Sequence, residues 1–350
     1  MKRKGEIMKI FVVDIENVPT RYTAQWKKWY PEFFNMEGYE FQWIGYDDVC
    51  IAKKDEFLSF IPSNRYKAKQ TQELANLLDN GLINEGDMIL FLDAWHPGII
   101  SVRQMLLSYD KNVKLAGFWH AGSWDPHDML GRNTRYFIDF EAAVHNCLDY
   151  NLFATNFSSD LFIIQMSIYN HLVDIKKNHI VGFLYDIHHL SSNIHKKKQI
   201  LFPHRIAPEK CPYMFDELER YCENTGRLQN FSFIKTMDAT KNKAEYHTLL
   251  AESKYAVSFA KQETFGISMM EAAFSGCVPI VPNCLSYVEL YLDDLRYDHM
   301  QISRDTIYEE IVSKIEAMEH SKYPIFSAQY KLMDYINGSK FSNFLSVIKA

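Results

Sequence analysis

The chain has 350 residues, long for one hydrophobic core, and the usual size of domains makes two of them the expectation. A composition of 47% hydrophobic and 23% charged residues, with no run of about eighteen apolar residues, speaks against a membrane protein. The formal charge of −6 speaks against binding nucleic acid through bulk electrostatics but is compatible with a local basic patch.

The first element is "MKIFVVD". It follows a basic start, but its apolar run is short, carries Asp14 and lacks a small-residue cleavage site, so it reads as a buried strand rather than a leader. The next stretch, "IENVPTRYTAQWKKWYP", has no glycine and mixes Arg21, Tyr22, Trp26, Lys27, Lys28, Trp29 and Tyr30. It fits either an amphipathic helix burying Trp26 and Trp29 or Tyr30, or a basic, aromatic surface for backbone contact and base stacking. "DMILFLD", "VKLAGFWH" and "YNLFATN" then read as further buried strands separated by helical patterns. "LAGFWHAGSWDPHDMLGR" leaves its strand into a loop bearing His120, Asp125, His127 and Asp128. Asp128 is a candidate cap for the helix that follows. The spacing of these four residues matches no recognised ligand set, so no metal is expected there.

A polar stretch, "DIHHLSSNIHKKK" (Asp186 to Lys198), reads as the junction between domains. Beyond it "QILFPH", "FSFIKT", "YAVSFA" and "VPIVP" are strands, again alternating with helices. This order predicts an α/β protein of two Rossmann-like domains with parallel sheets covered on both faces. They are expected over 1–190 and 191–325, with a C-terminal helix in 326–350 packing back on the first. Six cysteines form no CxxC pair and no ligand-spaced cluster, which leaves a disulfide framework or zinc site without support and fits a reducing cytoplasm.

Ligands of open parallel sheets sit outside the carboxyl ends of the strands, which directs attention to two exits. "FPHRIAPEK" ends a strand at Phe202 and turns so that Arg205 and Lys210 face one spot. A planar guanidinium fork beside a compact ammonium suits a diphosphate, although two surface cations beside a turn would read the same way. "KQETFGISMMEAAFSGCVPIVP" puts Glu263 in a loop, opens a helix at Gly266, carries Glu271 two turns along it and ends it at Gly276. Carboxylates accept hydrogen bonds from pairs of hydroxyls, and the free N–H groups near Phe265 to Ile267 suit hydroxyl or phosphate oxygens.

"HRIAPEK" followed by "ETFGISMMEAAFSGCVPIVP" resembles the nucleotide-sugar site of retaining GT-B glycosyltransferases, with their Arg-x4-Lys pair and Glu-x7-Glu motif. The resemblance implies two Rossmann-like domains with a cleft between them, no metal and no further cofactor. Arg205 and Lys210 would hold the donor diphosphate. Glu263, with the backbone at Phe265, Gly266 and Ile267, would hold the donor sugar, and Glu271 the ribose. The segment between the two motifs would carry the base, with Met237 and Tyr246 as neighbours. "WHAGSWDPHD" is similar to the histidine-bearing loop of these enzymes, which gives His120 a place near the reaction centre and Asp125 one on the acceptor side. The missing glycine-rich loop after the first strand departs from the pattern.

"RYTAQW", "WHAGSWDPHD" and "FPHRIAPEK" also resemble phage-encoded glycosyltransferases of hypermodified DNA bases. "FPHR" and "FG...EA...GC.P" are similar to enzymes that mannosylate queuosine in transfer RNA. The expected donor is UDP-glucose and the expected acceptor a 5-hydroxymethylpyrimidine in DNA, with RNA or a glycan as alternatives and a non-catalytic binding module as another class. Such a base must leave the stack to react. Arg21, Arg103, Arg132 and Arg135 are candidates for the positive charge its phosphates need.

Overall fold

A computed structural model describes residues 8–16, 22–46, 60–128, 130–131, 134–192, 195–321 and 325–349. The chain splits into two compact units, Met1–Ala154 with Ser158–Tyr185 and Gly338–Ala350, and Thr155–Phe157 with Asp186–Asn337. The expected boundary at 190–191 compares with 185–186 here. The expected C-terminal segment divides, its last helix belonging to the first unit and the helix before it to the second.

The first unit alternates β1 (Lys9–Val13), α1 (Tyr22–Met36), β2 (Glu40–Ile44), α2 (Phe60–Asp79), β3 (Met88–Phe91), α3 (Gly98–Ser108), β4 (Lys114–Trp119), α4 (Thr134–Cys147), β5 (Tyr150–Phe153), α5 (Asn156–Ile168) and β6 (Asn178–Ile180). Its sheet runs β2-β1-β3-β4-β5-β6 and every pair is parallel. Helices on both faces explain why β3 throughout, and β1 from Ile10 on, are apolar rather than alternating. Phe11, Ile89, Phe91, Leu115, Trp119, Phe153 and Phe162 form the core.

Helix α1 settles the choice left open by its composition. Trp26, Trp29 and Tyr30 are buried, Trp26 Nε1 donates to the Leu184 carbonyl at 3.0 Å, and the Trp26 and Tyr30 rings meet edge to face at 5.0 Å. Those rings are core, so they make no stacking surface for bases. Lys27 is 3.3 Å from Asp14.

The second unit contains β7 (Lys197–Phe202), α6 (Pro212–Thr225), β8 (Ser232–Lys235), α7 (Thr236–Ala239), α8 (Lys243–Glu252), β9 (Ser253–Val257), α9 (Ile267–Phe274), β10 (Val278–Pro282), α10 (Tyr287–Leu290), β11 (Arg296–Tyr297), α11 (Arg304–Ser321) and α12 (Ile325–Ile336). Its parallel sheet has the order β11-β10-β9-β7-β8. Because β7 lies beside β9, with Leu201 opposite Ala256, the two exits singled out above emerge side by side. The chain ends in α13 (Ser339–Lys349), whose Phe341 packs against Phe33 of α1 at 5.5 Å in the first unit. No described helix is long and apolar enough to cross a membrane. Cys147, Cys211, Cys222, Cys277 and Cys284 are free thiols.

Candidate functional site

At the exit of β7 the chain runs through Pro203, His204 and Arg205 into a single 3-10 turn, Pro208–Lys210, and Cys211 in the left-handed region (φ 52°) redirects it into α6. The turn brings Lys210 back over the strand ends. Lys261 N donates to the Glu209 carbonyl at 2.8 Å, stitching this loop to the one leaving β9. Lys210 is 6% exposed. Its ammonium lies 2.8 Å from Glu263 Oε1 and 3.1 Å from Gln262 Oε1, and donates to the Gln262 carbonyl. A buried cation with three acceptors is fully satisfied, as burial requires.

His204 sits beneath this pair. Its Nε2 is 2.8 Å from Ser258 Oγ and its Nδ1 is 2.9 Å from Ser268 Oγ and 3.5 Å from Glu263 Oε1. Burial, with Lys210 and Arg205 nearby, holds its pKa well below the ordinary histidine value, so the ring is neutral. Ser258 Oγ in turn meets the Tyr287 hydroxyl at 3.0 Å. Tyr287 bounds Gly266, whose φ is +81° and whose place would put a Cβ 2.8 Å from the Tyr287 ring. Only glycine fits that turn into α9 without strain. Phe265 is buried and Ile267 partly so. At the start of α9 the Met269 and Met270 N–H groups donate to the Gly266 carbonyl at 3.1 and 3.0 Å.

Arg205 and Glu271 each have partners of their own. Arg205 is half-exposed and pairs with Glu209, four residues on, rather than joining Lys210. Glu271 is buried on α9, with Oε1 3.4 Å from Lys243 Nζ and 3.7 Å from His247 Nε2 of α8. The ring of His189 lies 5.0 Å from that of His247. Met237 is exposed, and the Tyr246 hydroxyl is buried.

In the first unit His120 leaves β4. Its Nε2 is 2.7 Å from the Leu92 carbonyl and its Nδ1 3.2 Å from the Tyr22 hydroxyl. A carbonyl only accepts, so the proton is on Nε2 and Nδ1 accepts from Tyr22. Burial lowers the pKa of His120, opposed in part by Asp93 and the Leu92 carbonyl. Asp93 forms a buried 2.7 Å ion pair with Lys67. Asp125 is 3% exposed and its Oδ1 accepts from His127 N at 2.9 Å, a turn-capping contact rather than a surface one. Asp128 caps the same loop through Leu130 N at 2.9 Å, ahead of α4. Arg103 pairs with Asp149 at 2.7 Å and bonds the Cys147 carbonyl. That is the amino end of β5, away from the end where ligands bind, so the expected contact with phosphates is corrected. Arg135 is exposed on α4. Arg21 and Arg132 lie outside the described residues.

Sequence reading missed the part played by His204, although its place two residues past the strand end was a signal. It also missed Ser258, Ser268 and Tyr287, and the Lys243 and His247 partners of Glu271, which carried none.

No protein-family model matches the chain. A stretch of 103 residues is 34% identical to the tRNA-queuosine alpha-mannosyltransferase of Drosophila melanogaster, covering 29% of this chain and 26% of that protein. Among solved structures, the lipopolysaccharide outer core galactosyltransferase WaaB in its apo form is similar with a TM-score of 0.65 at 14% identity, over 97% of this chain and 99% of that one. A UDP-forming alpha,alpha-trehalose-phosphate synthase from Burkholderia vietnamiensis is similar with a TM-score of 0.63 at 11% identity, over 99% and 97%. With its two parallel α/β sheets and these likenesses over nearly its whole length, the chain has the fold of the GT-B glycosyltransferases.

Proposed function

We propose that this protein is a retaining glycosyltransferase that moves glucose from UDP-glucose to the hydroxyl of a 5-hydroxymethylpyrimidine in DNA, without a metal, in the cytoplasm of a phage-infected host. The observation that carries the donor half is the meeting of Lys210, Glu263 and His204 where β7 and β9 end side by side. The UDP-forming activity named for one similar structure supports the choice of nucleotide.

On this reading a diphosphate oxygen replaces the Gln262 side chain on Lys210, and Arg205 turns from Glu209 to the same group. Glu263 and the backbone at Phe265, Gly266 and Ile267 take the sugar hydroxyls, and Glu271 the ribose hydroxyls. The bond from the anomeric carbon to the diphosphate breaks with oxocarbenium character, and Lys210 and Arg205 stabilise the leaving charge. The acceptor oxygen attacks from the same face, and its proton passes to the departing phosphate oxygen, so no side-chain base is required. His120, its ring fixed by the Leu92 carbonyl on Nε2 and the Tyr22 hydroxyl on Nδ1, faces the donor sugar near the reaction centre. Asp125, Arg21 and Arg132 belong to the acceptor side, Asp125 by shaping its loop. The acceptor base reaches the sugar after extrusion from the duplex.

A second reading, an RNA base as acceptor, is favoured by the 34% identical stretch. Incubation with UDP-glucose and either hydroxymethylated duplex DNA or structured transfer RNA, followed by nucleoside mass spectrometry, separates them. Added hexose on the DNA nucleoside, with an α-anomeric proton coupling by NMR, is expected. Transfer to the RNA alone moves the acceptor to the second reading. Transfer to neither removes the nucleic-acid acceptor, and a β-anomer removes retention.

A further inference from the structure

We propose that His189, His247 and Glu271 form a binding site for a zinc-type divalent cation, and that the cation and the nucleotide sugar exclude one another. Each of the three side chains offers a ligand atom, and these atoms lie within 4.8 Å of one another. Three such atoms always leave a point within about 2.8 Å of every one of them, so a shift of at most about 0.7 Å per ligand reaches the bond lengths zinc takes with imidazole and carboxylate. Side-chain rotation supplies that much without moving α8 or α9.

The surroundings suit a metal. His247 Nε2 is buried and without a hydrogen-bond partner, with Glu271 Oε1 3.7 Å away. A buried polar nitrogen left in that state calls for a ligand. His189, on the exposed side, gives an ion access from solvent, while Glu271 anchors the buried side. Two imidazoles and one carboxylate with a fourth position left to water form a donor set for zinc or cobalt, whereas magnesium and calcium prefer oxygen alone. Lys243, 3.4 Å from Glu271 Oε1 and 30% exposed on a flexible stem, now balances the carboxylate and would swing out as the ion arrives.

The exclusion follows from chemistry at one group and rests on the function proposed above. If both oxygens of Glu271 accept from the ribose hydroxyls, a cation held between that carboxylate and the two imidazoles, with the water it carries, takes the space and the acceptor capacity that the ribose needs. The site would make donor binding sensitive to zinc although the reaction needs no metal.

The test uses chelator-treated full-length protein, calorimetric titration with zinc chloride, and the visible absorption of cobalt, which is intense when four-coordinate. One zinc per chain and the cobalt bands are expected, with affinity falling by more than about tenfold in both His189→Asn and His247→Gln. Saturating UDP should abolish the zinc heat, and His189→Asn should bind UDP as the unaltered protein does while losing its sensitivity to zinc. Absence of zinc heat, or unchanged zinc affinity in both variants, overturns the site. Simultaneous binding of zinc and UDP overturns the exclusion. Zinc binding without any UDP binding leaves the metal site standing and defeats the donor reading instead.

Discussion

Replacing Lys210 by Met separates structure from chemistry, because the two consequences have different sizes and different remedies. The ammonium is buried and satisfies Glu263 Oε1 at 2.8 Å, Gln262 Oε1 at 3.1 Å and the Gln262 carbonyl. Met fills the stem but strands the Glu263 carboxylate, and breaking a buried pair from one side costs about 3–5 kcal/mol. For a unit of this size that is a fall in melting temperature on the order of 10 °C. Loss of the charge that stabilises the leaving diphosphate should also lower kcat by about tenfold to a thousandfold. Combining Lys210→Met with Glu263→Gln removes the stranded charge, so melting should recover most of the loss. Turnover should not recover, since nothing restores the cation. Glu263→Gln alone serves as the control. The assays are differential scanning calorimetry and UDP release at saturating donor and acceptor. Wild-type kcat in the single variant, or kcat returning together with stability in the double variant, would refute the role given to Lys210.

Three further outcomes are expected. Glu271→Ala should weaken UDP binding by tenfold or more, from charge-assisted hydrogen bonds worth about 1.5–3 kcal/mol each; an unaltered dissociation constant refutes the ribose assignment. Gly266→Ala must hold alanine at φ +81° with its Cβ 2.8 Å from the Tyr287 ring, a strain of about 1–2 kcal/mol before the contact is counted. Melting and UDP affinity should fall together, because Tyr287 props Ser258 and through it His204; loss of stability with intact UDP affinity would show that this loop does not shape the donor site. Glu141 accepts from Ser123 N, Ser123 Oγ and Trp95 Nε1, yet burial pushes its carboxyl up to about 7 from 4.5. A raised carboxyl pKa favours the folded state below about pH 4.5, and that advantage is lost as pH rises through 7, a swing of about 3 kcal/mol. Glu141→Gln should therefore gain melting temperature relative to wild type between pH 5 and pH 8, and a gap that does not change with pH would contradict the assignment.

The strands that carry the two sheets were legible because burial on both faces turns them into unbroken apolar runs, as in Phe11 to Val13 and Met88 to Phe91. The three strands that were not legible are marginal by themselves. β2 lies at an edge with Glu40 exposed, β6 has three residues, and β11 has two. Each is held by pairing with a neighbour rather than by its own pattern. The same contrast governs the site. Lys210 and Glu263 were legible because each follows the exit of an apolar strand, and the pairing of β7 with β9 brings those exits together. Arg205 was expected to face the same spot as Lys210, and its pairing with Glu209 four residues away was not foreseen because that contact is local and leaves no pattern in the sequence. The surroundings of Glu271 depend on α8 packing beside α9, a tertiary fact that leaves no local trace in Lys243, His247 or His189. The aromatic residues of α1 offered two readings of one composition, and only the burial of Trp26 and Tyr30 chose between them.

The most direct test of the donor site is a crystal structure with UDP-glucose bound. The account predicts a diphosphate oxygen within hydrogen-bonding distance of Lys210 Nζ and the ribose hydroxyls on Glu271. A nucleotide bound with its diphosphate away from Lys210, or with its ribose away from Glu271, would contradict it.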